Sequence, residues 1–203
     1  MKRRTRPAKA QAHEIPAHDW RTTDAQEVER RRQRARDERM RIVNLHPAHP
    51  VCSNFAVQSG SGRTYHVEIR DPRDGEYACE CVDFRANGLG TCKHVEAVLL
   101  GLGRRERAAL KQARAGGGTR DDVVPDRENE SLRLVPRASG KVPRELARWF
   151  LPDGRQRDEV GDGDDDRKAA LAAWRDLAGS RLPSLRISQE VEPWLEVLHQ
   201  RED

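Results

Sequence analysis

The chain has 203 residues, 35% of them apolar and 35% charged, with a net charge of +4. A typical globular chain is nearer half apolar and a quarter charged, so one large core is excluded and small packed units joined by solvated segments are expected. No stretch approaches the apolar length of a membrane span, and the basic start MKRRTRPAKAQAHEIPAHDW has no apolar secretory core, so a cytoplasmic, reducing setting without membrane contact is the expectation.

Residues 1–23 are basic, contain Pro7 and Pro16, and read as a disordered arm. Residues 24–45 read as a charged helix with Asp24 as its candidate cap and Val28, Ala35 and Ile42 on a loose helical period. Residues 1–41 hold 13 Lys and Arg against 7 Asp and Glu, a net +6 that leaves about −2 for the rest. Such a segment suits a polyanion, most often nucleic acid. Arg30, Arg31, Arg32, Arg34 and Arg36 are the candidate phosphate contacts, and a solvated face laced by i,i+4 charge pairs accounts for the same residues.

Pro47 and Pro50 end that helix. NFAVQ and TYHVEIR alternate apolar and polar residues on either side of SGSG, a hairpin signature. DPRDG turns the chain again, and EYACEC reads as a third strand with Tyr77, Cys79 and Cys81 on one face. Val95, Val98, Leu99 and Leu102 then fall on a helical stripe that Gly101 and Gly103 are expected to close. RRERAALKQAR can add a short charged helix within residues 103–130, read as a linker. Residues 131–203 read as a small, mainly helical unit: SLRLV and LRIS as strands, and helices around VPRELARWF, DDRKAALAAWRDLAG and the segment after Pro193. Trp149, Trp174 and Trp194 are expected to form its core, with an interface as the alternative.

Three of the four cysteines lie in CECVDFRANGLGTCKH, spaced Cys79-x-Cys81, ten residues, Cys92-x-His94. Three thiolates and one imidazole are the donor set of a structural, tetrahedral zinc site, with no position left for a reacting water. Residues two apart on a strand share a side, so Cys79 and Cys81 can bind one ion. Residues two apart on a helix diverge by roughly 200°, so Cys92 belongs at or before the helix start and His94 in its first turn. There the helix dipole favours thiolate, and Lys93 would add to it. The competing readings fit less well. A Cys79–Cys81 disulfide closes a very tight ring and leaves Cys92 odd, a Cys92–His94 catalytic pair lacks a third orienting group, and the ligands suit an iron–sulfur centre poorly. Cys52 reads as an ordinary, partly buried residue.

The pattern CxCx(n)CxH after a strand pair and opening a helix resembles the SWIM zinc finger. More narrowly, FAVQSGSGRTYHVEIRD and CECVDFRANGLGTCKHVEAVLL resemble the SWIM segment that precedes the motor of bacterial Swi/Snf-type helicase-like ATPases. The match covers about residues 53–102. Cys79, Cys81, Cys92 and His94 match the family's zinc ligands, Asp83 and Phe84 match its Asp-aromatic pair, and Val82 stands where Pro is common. With the charged helix and the mainly helical unit read on either side, an α+β chain is expected, and the resemblance implies that its centre is a ββα-like zinc-stabilised finger. It also implies a role in binding DNA or protein. No GxxxxGK[ST] loop and no DExx box occur, so ATP hydrolysis by this chain is not expected. The expected function is therefore weakly sequence-selective nucleic-acid binding, DNA foremost, beside a helicase-like ATPase partner. The alternative is a protein adaptor that docks such a motor without touching nucleic acid.

Overall fold

The computed structural model describes residues 22–158 and 164–202. Apart from Thr22 and Thr23, the arm expected at residues 1–23 lies outside them. The fold is α+β, built on two small sheets, each with its own core.

Helix α1 (Asp24–Asp37) is started by Thr23, whose hydroxyl accepts the Gln26 N–H while the Gln26 side chain accepts the Thr23 N–H, a reciprocal capping box. None of its residues is fully buried. The helix expected over 24–45 stops at Asp37, and Arg41–Asn44 form strand β1 instead. The β-branched pair Ile42-Val43 lies antiparallel to Val57 and Ala56, with Met40 and Ile42 against the first core. Cross-strand pairing here outweighs the weak helical period.

Strands β1, β2 (Asn54–Gln58), β3 (Thr64–Asp71) and β4 (Glu76–Cys79) form an antiparallel meander in chain order. Helices α2 (Val82–Asn87), α3 (Lys93–Arg105) and α4 (Arg107–Gly116) follow. Phe55, Val57, Val67 and Ile69 from the sheet meet Val95, Val98 and Leu102 of α3 and Leu110 of α4. Gly101 and Gly103 lie within α3 and do not close it. A Cβ at Gly101 would stand 3.0 Å from an Arg105 guanidinium nitrogen and 3.5 Å from Ile42 Cδ1, so the position accommodates close neighbours.

The segment read as a linker, 103–130, holds α4 and strand β5 (Asp121–Asp126). Strand β6 (Ser131–Pro136) pairs antiparallel with β5, and β7 (Leu185–Ile187) pairs parallel on its other side. A 3-10 turn at Arg144–Leu146 and helices α5 (Asp164–Ser180) and α6 (Val191–Glu202) complete the unit. Its core gathers Val123, Leu134, Leu146, Phe150 and Leu185 with Trp149, Trp174 and Trp194, so the tryptophans are core residues. Phe150 and Trp174 centroids lie 5.4 Å apart, and Trp149 meets Trp174 edge-on.

Buried charge joins the two sheets. Arg120, 1% exposed, donates to Asp122 Oδ1 at 2.7 Å and to Asn54 Oδ1 at 2.7 Å. Glu68 on β3 accepts the Gln189 N–H at 2.8 Å and Arg70 Nε at 2.8 Å, while Arg70 also reaches Ser188 Oγ at 2.7 Å. Arg137 bridges Asp122 and Glu76. Each buried charge has a partner, the condition for keeping it from water.

Candidate metal centre

The donors come from three chain segments that the first sheet and its helices bring together. Cys79 is the last residue of β4 and is buried. The strand expected to carry both Cys79 and Cys81 ends there, and Cys81 is the N-cap of α2, its Sγ accepting the Phe84 N–H at 3.4 Å. The helix supplies a backbone donor that a sixth strand residue would lack. The ten-residue spacer is α2 plus a return loop. Gly88 (φ +65°) caps α2 in the left-handed region that favours glycine. The Asn87 side chain accepts the Leu89 N–H at 2.7 Å and donates to the Thr91 carbonyl at 2.9 Å, which directs the chain into Cys92.

Cys92 is the extended N-cap of α3 and His94 lies in its first turn, the placement expected from helical geometry. All four residues are buried, and their ligand atoms lie within 4.8 Å of one another. His94 turns Nδ1 toward Cys79 Sγ at 3.8 Å and Cys92 Sγ at 3.9 Å. The Tyr65 ring stacks on the imidazole from β3. These residues could hold one metal ion, and among the described residues theirs is the one such cluster. Cys52 is a free thiol buried in the first core and does not belong to it.

The sulfurs tune one another. Hydrogen bonds from Cys79 and then Cys92 hold the Cys81 thiol far below its ordinary range, against burial. Hydrogen bonds to Cys81 and Cys92, then burial, push Cys79 far above it. For Cys92 a hydrogen bond from Cys79 favours the thiolate, but Cys81 and burial outweigh it and push the thiol up to about 12. The directions favour a single thiolate within the coupled cluster, and a bound cation would favour ionisation of the rest.

Helix α1 straps the helices that carry the candidate donors. Arg31 makes a two-pronged contact with Asp83 of α2, at 2.7 and 3.2 Å. Arg32 Nε donates to the buried Glu96 of α3 at 3.1 Å, and Glu96 also accepts from Thr91 Oγ1 at 2.9 Å. Lys93 reaches Glu38 at the end of α1, so its charge is directed away from the sulfurs. Arg30 pairs with Glu27 at 2.6 Å, Arg34 with Glu38 at 3.3 Å and Arg36 with Glu29 at 2.8 Å. Each of the five arginines singled out for phosphate thus has a carboxylate partner within the chain. Sequence reasoning missed Tyr65 as the platform for His94, and Glu96 as an anchor for α1. The visible signal was an acidic residue in the first turn of both α2 and α3, facing an arginine-rich helix.

No protein-family model, curated protein or solved structure matches the chain.

Proposed function

We propose that the chain is a structural zinc module that binds nucleic acid, DNA foremost, with little sequence preference, beside a helicase-like ATPase. Zinc is the choice because three sulfurs and one imidazole nitrogen suit a borderline-soft ion that accepts a tetrahedron. Bonds of about 2.3 Å to sulfur and 2.0–2.1 Å to nitrogen make tetrahedral edges of roughly 3.5–3.8 Å, near the 3.8 and 3.9 Å from His94 Nδ1 to two of the sulfurs. The observation that carries the reading is this buried set of four donors, enough to fill the tetrahedral sphere of a structural zinc. The likeness of residues 53–102 to a SWIM finger supports nucleic acid as the ligand, as does the positive net charge. The adaptor reading loses its best feature, since the three tryptophans offered as an interface are core residues.

Zinc per chain and a mobility-shift series against salt test the proposal together. The expected results are one zinc, absent in Cys81→Ser, and binding to duplex and single-stranded DNA that weakens steeply as salt rises. Metal-loaded protein that binds neither at low salt sinks the nucleic-acid reading.

A further inference from the structure

The arginines free of carboxylates lie elsewhere than in the face of α1. A groove of about 400 Å³ runs between the end of α1, the start of β1 and the last turns of α3. Arg36, Arg39, Arg104 and Arg105 line it, over an apolar floor that includes Met40, Ile42 and Leu100. Arg39, Arg104 and Arg105 are exposed and make no ion pair among the described residues. The groove's one carboxylate, Glu38, is engaged by Lys93 and Arg34, and both draw its carboxyl below the ordinary range despite burial. The Arg105 guanidinium is folded back over Gly101 toward Ile42, where any side chain at 101 would crowd it.

The α3 dipole favours cations in its last turn and accounts for Arg104 and Arg105 taken alone. It gives no reason for Arg39, on a different segment, to converge with them. The neighbouring Arg30, Arg31, Arg32, Arg34 and Arg36 are paired with carboxylates, whereas these three, like other exposed arginines among the described residues, are not; what sets the three apart is that they line one groove. Three guanidiniums around one concave surface repel one another, and a linear run of phosphates relieves that repulsion.

We infer that this groove, and not the face of α1, is where the phosphodiester backbone of DNA lies, with Arg39, Arg104 and Arg105 as its contacts. The inference rests on the nucleic-acid reading above and adds the site to it. Arg31 and Arg32 become positioning residues that fix α1 against the metal-bearing helices, so that the groove's first wall stands where it does.

The test is binding of full-length, zinc-loaded protein to a 20-mer DNA duplex, the same single strand and an RNA of equal sequence, from 50 to 300 mM salt. Arg39→Gln, Arg104→Gln and Arg105→Gln are combined, the last two replacements suiting the helix they sit in and all three leaving the core untouched. A control triple removes the same charge from the second unit at the exposed Arg133, Arg144 and Arg181. Three lost duplex contacts lower the log–log salt slope by about 2 to 3 and weaken binding roughly a hundredfold near 0.1 M salt. Zinc content is expected unchanged, and the control is expected to retain the wild-type slope. A groove triple that binds like wild type overturns this inference while leaving the nucleic-acid reading intact. Equal losses in both triples also overturn it, since net charge would then be the cause. Preference for RNA over both DNA forms overturns the choice of DNA, and wild-type protein that binds no nucleic acid overturns the reading beneath it. Arg104→Gln with Arg105→Gln alone, expected to lower the slope by about 1 to 2, gives an independent measure should the triple lose zinc.

Discussion

The Tyr65 ring lies 4.1 Å from the His94 imidazole with 24° between their planes. The stack holds the imidazole flat against β3 while Nδ1 faces Cys79 and Cys92, so a residue outside the donor set sets the aim of a candidate ligand. Residues that orient a ligand typically change metal affinity by 10–100-fold when removed. Tyr65→Ala is expected to lower zinc affinity within that range, and Tyr65→Phe, which keeps the ring, to stay near wild type. Competition against a chromophoric chelator measures both. An alanine variant that binds as tightly as wild type would dismiss the stacking role.

Removal of the ion should act on one unit more than the other. Four of the buried residues around the first core are the donors themselves, whereas the second core is aliphatic and aromatic throughout. Without a cation the three sulfurs repel any second thiolate, and β4, α2 and α3 lose their common anchor. Hydrogen exchange after chelation is expected to rise across residues 53–102 and to stay slow in β5, β6 and α5. Cys81→Ser is expected to give the same map without chelator. Unchanged protection of β4 and α3 in metal-free protein would remove the ion from the account of stability.

The donor set was legible because its logic is local: a turn, a helix start and four soft ligands within sixteen residues. So were the hairpin of β2 and β3, and the tryptophans as core. What escaped depends on partners far along the chain. Ile42 continues a helical period, yet it becomes a strand residue because Val57 lies opposite. The acidic start of β5 reads as a solvated linker, yet Asp121 is 1% exposed. Its carboxylate accepts the Ala138 N–H at 2.9 Å and Ser184 Oγ at 3.1 Å, groups that no local pattern ties to it. Arg31 and Arg32 read as free charge because Asp83 and Glu96 lie 52 and 64 residues away.

Arg120 tests the junction between the sheets. Burial lifts the Asp122 carboxyl above its ordinary range, with Arg120 as the largest opposing influence. Taking away the guanidinium leaves Asp122 with the more remote Arg137, at 3.1 Å, and leaves Asn54 Oδ1 without its donor. Arg120→Met is expected to destabilise the chain by about 3 kcal/mol, the lower end of the range for breaking a buried pair because Arg137 remains, and adding Asp122→Leu to recover part of the loss. Urea unfolding followed by circular dichroism reads both. A single variant within 1 kcal/mol of wild type, itself the size of an exposed pair, would mean that the junction is not held by this charge.

Metal binding should expel two protons near neutral pH. Cys81 is held ionised by the hydrogen bonds it receives, whereas Cys79 and Cys92 are pushed up and enter as thiols. A site of three thiolates requires both to lose their protons as the ion arrives. Each proton released adds a tenfold gain in affinity per pH unit, so apparent affinity is expected to climb about a hundredfold per unit as pH rises and to fall as steeply with acid. The sign follows from the raised thiols: the metal-free state binds more protons, so low pH favours it and the ion leaves. Calorimetric titration in buffers of different ionisation enthalpy gives the proton count directly. Three protons would mean that Cys81 is also a thiol in the free protein, and none would mean that the cluster is already fully ionised; either result overturns the count of two.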